Sequence, residues 1–552
     1  MTRHGGQILV DQLVALGVIR VFSVPGESFL AALDGLHDSG ISNIVCRQEG
    51  GAAMMAEAHG KLTGRPGVAF VTRGPGATNA SAGVHVARQD STPMVLFVGQ
   101  IARGHRDREA FQEVDYRAMF GPLAKWVAEI EDTARIPEYV AKAFRVASSG
   151  RPGPVVLALP EDMLSAKADV PDFSGRGASP SRPSPDDAQA LLDRLHQAER
   201  PLVVAGGPCW SADAARNLAR FAETQQIPVA VSFRRQGHLD NRHACYAGDL
   251  GVGANPKLVQ RLRDADCLLL LGTRFGDIET AGYTLVDPSR PDKTILHVLP
   301  DPDEIGAVYG VDGSLTCTAP AALDVLAELP GSQGWPDWTA SARADYESWR
   351  EPTETPGEVK LERVMRWLSD TLPDDAIITN GAGNYAAFIH RYYQFRQHDS
   401  QVAPTSGSMG YGFPAATAAK LEHPDRVVVC MAGDGCFQMT LNEMSTAVQH
   451  GAAVITVVVN NGRYGTIRMH QEKTYPGRVS GTEMANPDFA ALAKAYGGHG
   501  ERVEKTEEFG AAFERALASG LPAVIEVVTD PEMLSTTMTV SQFRALGEKA
   551  KG

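Results

Sequence analysis

Short apolar runs alternate along this chain with longer amphipathic stretches. Residues 21–24 (VFSV), 43–46 (NIVC), 67–72 (GVAFVT), 94–98 (MVLFV) and 154–159 (PVVLAL) are brief, mostly apolar runs, several bounded by Gly or Pro. Runs of this kind read as strands buried on both faces, as in a parallel sheet. Helical stretches lie between them, and strand and helix in alternation predict a doubly wound α/β sheet. The rhythm returns at 201–207 (PLVVAGG), 227–233 (IPVAVSF), 267–273 (CLLLLGT) and 294–300 (TILHVLP), and again at 376–379 (AIIT), 427–432 (VVVCMA) and 452–459 (AAVITVVV). Residues 168–187, rich in Pro, Ser, Gly and Asp, read as a linker, and 331–357 as a second linker with a helix inside. The pattern predicts three α/β domains of the doubly wound parallel-sheet class, at 1–170, 188–330 and 358–552.

One stretch organises the rest. The run ending at Ala432 is followed by Gly433-Asp434-Gly435, then by a segment from Gln438 to His450 with helical periodicity that stops at Gly451, then by a second apolar run and Asn460-Asn461. This is a βαβ unit, which is right-handed and parallel almost without exception. It puts Asp434 and Asn461 at the carboxyl ends of two strands, where open α/β sheets bind ligands. Glycines flanking Asp434 permit close backbone approach, and a helix N-terminus favours anions. A carboxylate and an amide oxygen are hard ligands, suited to Mg2+ shared with a diphosphate.

Composition narrows the partners. Hydrophobic content of 43% and charged content of 21% over 552 residues describe a globular protein, and a net charge of −14 argues against nucleic acid as a default partner. The N-terminal stretch reads as a helix with Asp11 inside it, not as a signal peptide, and no apolar run is long enough for a membrane span. The seven cysteines form no CxxC pair, so reduced thiols in a cytoplasmic protein are the simplest expectation.

Between Gly435 and Asn460 lie 24 residues. That spacing resembles the thiamine diphosphate signature of the decarboxylase and acetolactate synthase superfamily. The resemblance implies that Asp434, Asn461 and the carbonyl of Arg463 bind Mg2+, with Gly433, Gly435, Tyr464 and Gly465 around the diphosphate. It extends over nearly the whole chain, since the order of domains is similar to pyrimidine-binding, middle and diphosphate-binding. The setting RQEGGAAMMAEAHG resembles the family's catalytic-glutamate segment. It makes Glu49 the carboxylate that hydrogen-bonds the cofactor's pyrimidine and favours the tautomer able to remove the thiazolium C2 proton. Gly74 to Asn79 (GPGATN) is similar to a loop that lies against the pyrimidine, with Asn79 at its end. Ser406 to Pro414 (SGSMGYGFP) resembles the loop that bends the cofactor, with Met409 as the wedge and the Gly407 carbonyl as acceptor. Gly381 to Asn384 matches a diphosphate-contact loop, with Gly381 and Asn384 as contacts.

The substrate is less sharply indicated. Ala110 to Glu113 (AFQE) and Lys125 resemble acetolactate synthase, which points to Phe111, Gln112 and Lys125 as substrate-facing, Gln112 in a catalytic orienting role. Thr273-Arg274-Phe275 resembles a segment near that enzyme's flavin, so FAD on the middle domain is a secondary expectation. Three features depart from the synthases. Arg73 precedes GPGATN in place of a small residue, Arg468 and His470 follow the Asn pair where the synthases carry other residues, and Leu250 to Gly253 replaces a Met-His-Gly segment. The two arginines suggest a cationic pocket for a second anionic group. The implied function is decarboxylation and carboligation of a 2-oxo acid, acetolactate synthase-like. The alternative is an acyloin or 2-hydroxyacyl-CoA lyase of the same superfamily. The resemblance also implies a homodimer or homotetramer.

Overall fold

The computed structural model describes residues 2–173, 181–289, 291–331 and 334–551. Three six-stranded sheets carry the chain, and every strand pair within them is parallel. In the first, the spatial order is Ser42–Val45, Arg20–Ser23, Gly67–Val71, Met94–Gln100, Pro154–Pro160, Trp126–Glu129. Numbered in chain order within the sheet this is 2-1-3-4-6-5. The third sheet repeats it with Gln401–Val402, Ile377–Asn380, Val428–Gly433, Ile455–Asn460, Ala523–Val528 and His499–Val503. The middle sheet runs Tyr246–Asp249, Val229–Val231, Pro201–Ala205, Cys267–Leu271, Thr294–Leu299, Gly313–Thr316, which is 3-2-1-4-5-6.

The chain groups into two compact units. The first is Met1–Ser179 with Pro404–Pro424 and Thr440–Ala452; the second is Pro180–Ala403, Asp425–Met439 and Ala453–Gly552. In the first unit Phe29, Phe70 and Phe97 stack in series, with centroids 5.9 and 4.7 Å apart. In the second unit the two-residue period of the middle strands splits its core cleanly. Val203, Val229 and Leu269 pack in one cluster, while Leu202, Ala230 and Leu268 pack in another, as expected of a sheet covered on both faces.

The structure corrects several details. The expected helix from Gln438 to His450 is broken into Asp434–Gln438, a 3-10 turn at Leu441–Glu443, and Met444–Gln449. The break falls at Met439-Thr440, where Thr440 leaves helical geometry (φ −140°) and donates its hydroxyl to the Gly410 carbonyl at 2.7 Å. Of the linker expected at 168–187, Ala168 ends a two-stranded antiparallel pair with Arg3–His4, and Pro185–Leu195 is a helix capped by Ser184. Residues 174–180 of that linker lie outside the described residues. The helix expected inside 331–357 is Pro336–Trp349, and residues 332–333 of that stretch lie outside the described residues. No helix among the described residues is long and apolar enough to cross a membrane.

Candidate active site

In the third sheet the strand order reverses between Ile377–Asn380 and Val428–Gly433. Such a switch point opens a crevice at the carboxyl ends of the two strands, and both glycine loops lie there. Asp434 follows one strand and Gly381 the other. The Asp434 carboxylate is 3% exposed. One oxygen accepts from Gly435 N at 2.8 Å; the other accepts from Gly462 N (2.8 Å), Asn461 N (3.2 Å) and Asn486 Nδ2 (2.8 Å). Burial pushes this carboxyl up from its ordinary range, and the hydrogen bonds from Gly435, Asn486, Gly462 and Asn461 hold it back. Asn486 also donates to Asn460 Oδ1 (2.8 Å), and Asn460 donates to the fully buried Glu526 (2.7 Å).

The chain turns at Gly462 (φ 66°), where Asn461 Oδ1 accepts from Arg463 N at 3.2 Å. Tyr464 N donates to Thr482 O at 2.8 Å, and Gly465 opens the helix Gly465–Thr474. A Cβ on Gly433 would stand 3.0 Å from the Tyr385 ring, and one on Gly435 2.7 Å from the Tyr464 ring, so side chains there would fill the space beside Asp434. Gly381 N donates to Tyr385 Oη at 3.1 Å, and that hydroxyl donates to Cys436 Sγ at 3.4 Å. Asn384 is held from two sides, by Thr466 Oγ1 (3.0 Å) and by the Leu534 carbonyl (2.6 Å).

The expected ligands, one carboxylate, one side-chain amide oxygen and one backbone carbonyl, would make an all-oxygen donor set. Mg2+ takes such a set when it shares phosphate oxygens, typically with one or two carboxylates. Among the described residues no group of three or more His, Cys, Asp or Glu could hold a metal, so neutral oxygens would have to complete any site here. The residues around Asp434 fit a small hard cation and a diphosphate.

In the first unit Glu49 is the first residue of the helix Glu49–Thr63, capped by Gln48, whose side-chain oxygen accepts from Gly51 N at 3.1 Å. Asn79 Nδ2 donates to one Glu49 oxygen at 2.9 Å, and a Cβ on Gly76 would stand 3.2 Å from the other. Behind the loop, the buried Glu443 accepts from Arg47 N and Gln48 N at 3.2 and 3.0 Å. Gly74 (φ 60°) donates its amide to Tyr116 Oη at 2.8 Å, and a Cβ there would press within 2.8 Å of Gln112 Cβ. Glu49, Asn79, the glycine loop and Gln112 therefore come together. Gln112 itself sits at φ 65°, and its neighbour Phe111 is 74% exposed. Met409 is partly exposed, in a segment that passes through left-handed glycines at Gly407 (φ 65°) and Gly410 (φ 79°).

Other candidates are engaged elsewhere. Arg73 is buried and pairs with Glu27 (3.1 Å) and Glu161 (3.0 Å). Lys125 donates to the Val146 and Ser149 carbonyls at the end of the helix Ile136–Ser148. Arg468 faces inward and donates through Nε to Glu472 at 2.8 Å. His470 and Arg274 are exposed.

Gln48, Glu443 and Asn486 were not visible in the sequence. Gln48 directly precedes Glu49, so a helix-cap reading was open. Glu443 lay inside what read as one helix, and Asn486 before Pro487 reads as an ordinary turn.

Three family models match the chain: the thiamine pyrophosphate enzyme N-terminal TPP binding domain over 3–119, the central domain over 188–326, and the C-terminal TPP binding domain over 381–527. The acetolactate synthase isozyme 2 large subunit of Escherichia coli (strain K12) is 31% identical over 531 residues, which is 96% of this chain and 96% of that protein. The acetolactate synthase large subunits of Corynebacterium glutamicum and Parasynechococcus marenigrum are each 33% identical, over 95% of this chain and 86% and 87% of their own lengths. The chain thus belongs to the thiamine pyrophosphate enzymes, as an acetolactate synthase large subunit-like enzyme of carbon–carbon bond chemistry.

Proposed function

We propose that this enzyme decarboxylates a 2-oxo acid and joins the remaining acyl unit to a second molecule, using thiamine diphosphate and Mg2+. The observation that carries the reading is the buried Asp434 carboxylate at the switch point, fixed by three backbone amides and by Asn486. Asp434, Asn461 Oδ1 and the Arg463 carbonyl would hold Mg2+. The backbone at Gly381, Gly433, Gly435, Tyr464 and Gly465 would line the diphosphate, with Asn384 fixing the Gly381 loop. When bound, the cofactor supplies an electron sink for loss of CO2. Asn79 occupies one oxygen of Glu49 and so orients the other, where Glu49 would hold and return a proton. Gln112 would orient the substrate, and Met409 and the Gly407 carbonyl would fix the cofactor's bent shape.

Phe111 and His470, both exposed, are the better candidates for substrate contact. The charges of Arg73 and Arg468 are already matched by carboxylates. Residues 1–170, 188–330 and 358–552 would serve as pyrimidine-binding, middle and diphosphate-binding domains. In this reading a homodimer or tetramer brings the Glu49 half from one copy to the Asp434 half of another. No step requires FAD, whose binding would show as a flavin absorbance after reconstitution. The test is product analysis from purified protein with thiamine diphosphate, Mg2+ and a panel of 2-oxo acids. An acetohydroxy acid is expected. Aldehyde alone, or cleavage of a 2-hydroxyacyl-CoA with no ligation from any 2-oxo acid, would overturn the carboligase assignment.

A further inference from the structure

A buried charge cluster in the first unit takes no part in the chemistry above. Glu57, on the helix Glu49–Thr63, and Asp90, at the end of the helix Pro75–Asp90, are 0% and 3% exposed. Both meet the ammonium of Lys61, 3.2 Å from Glu57 and in direct contact with Asp90. Buried carboxylates stand only where cations and hydrogen-bond donors match them.

Thr92 Oγ1 gives one donor, to Glu57 at 2.6 Å. Further donors come from either side of the segment that carries Met409. Asp90 accepts from Thr405 N (2.7 Å) and Thr405 Oγ1 (2.5 Å), and Glu57 accepts from Tyr411 Oη. Lys61 Nζ lies 3.3 Å from that hydroxyl and 5.0 Å from the centre of its ring. Thr405 and Tyr411 bracket Ser406 to Gly410, a stretch outside any helix or strand. Ordering it carries a backbone-entropy cost that its end contacts must offset. Releasing the Thr405 end would strip donors from Asp90, and releasing the Tyr411 end would strip one from Glu57, so loop and cluster hold each other in place.

We propose that Glu57, Asp90 and Lys61 are positioning residues that fix the Ser406–Gly410 loop, and through it Met409 and the Gly407 carbonyl, in the geometry that receives the cofactor. This rests on the assignment of Met409 made above. The test uses Tyr411→Phe, which removes one hydroxyl at nearly constant volume, beside Asp90→Asn and Met409→Ala. Two quantities are read: amide hydrogen exchange of the cofactor-free protein, and thiamine diphosphate affinity by calorimetry with Mg2+ present. In Tyr411→Phe, exchange over 405–411 should quicken at least tenfold and cofactor affinity fall at least fivefold, with exchange in the helix Glu49–Thr63 unchanged. Asp90→Asn should do the same more strongly. If loop exchange and affinity in Tyr411→Phe stay within twofold of the unmodified protein, or if exchange rises evenly throughout the unit, the cluster is plain structural support and the proposal falls. An unaltered affinity and turnover in Met409→Ala would instead remove the wedge assignment, and loop exchange would still decide whether the cluster positions the loop.

Discussion

Glu472→Gln and Arg468→Met separate two roles for Arg468, a contact to substrate and the inward partner of Glu472. Glu472 is fully buried and accepts from Arg468 Nε (2.8 Å), from Arg544 Nε and Nη2 (2.9 and 2.8 Å), and from Gly477 N (2.9 Å). The two arginines are not equivalent. The Arg544 side chain is 40% exposed and can turn to water, whereas Arg468 cannot, and the next carboxylate, Glu483, is 3.9 Å away. Glu472→Gln therefore strands a buried guanidinium. Breaking a buried pair in this way costs about 3–5 kcal/mol, and the retained shape of Gln puts the expected loss near the lower end. Arg468→Met leaves Glu472 with both Arg544 donors and Gly477, so its cost should sit at or below about 1.5 kcal/mol, the low end for a charged hydrogen bond. The assay is urea unfolding of the transition that reports this region, with KM measured for pyruvate and for bulkier 2-oxo acids. Glu472→Gln should be the more destabilising, and Arg468→Met should leave the ratio of KM values unchanged. Arg544 beside Glu472 holds its carboxyl down to about 2. A folded value below the unfolded one, about 4.3, gives stability that is present above the unfolded value and lost as pH falls towards 2. The deficit of Glu472→Gln should shrink over that window. If Arg468→Met instead keeps full stability and raises KM tenfold or more for one 2-oxo acid over pyruvate, Arg468 reads substrate and the inward pairing is not its role.

Two further outcomes test the Asp434 site. Asp434→Ala should abolish Mg2+-dependent binding of thiamine diphosphate in calorimetry, and unchanged affinity would put the metal elsewhere. Asn486→Ala removes a donor from a carboxylate held by four; it should raise the Mg2+ concentration for half-activation on the order of tenfold while preserving turnover at saturating Mg2+. An unshifted Mg2+ curve would reduce Asn486 to a loop contact.

The sequence showed most of the fold through its apolar runs. It missed Ala523–Val528, an interior strand whose run is interrupted by the buried Glu526, and several edge strands. Trp126–Glu129 has only Ala128 fully buried, and Gln401–Val402 is two residues long, so neither leaves a run to read. The glycine-framed Asp434 and the Asn pair were legible because their spacing follows from one strand-helix-strand unit. Their supports were not. Asn486 reaches Asp434 from 52 residues away, and Glu443 reaches Gln48 from 395 away, so neither pairing has a local signature. The ion-pair partners of Arg73 had no local signature either: Glu27 and Glu161 are both distant in sequence.

The division of labour between Glu49 and the Asp434 site is tested most directly by Glu49→Gln, in which thiamine diphosphate affinity and steady-state turnover are measured on the same preparation. Affinity should stay within about threefold, since the metal and diphosphate end is untouched. Turnover should fall by roughly 10²–10⁴-fold, the usual worth of a positioned acid–base group. Turnover within tenfold of the unmodified enzyme, about 1.4 kcal/mol in barrier, would contradict the assignment of Glu49.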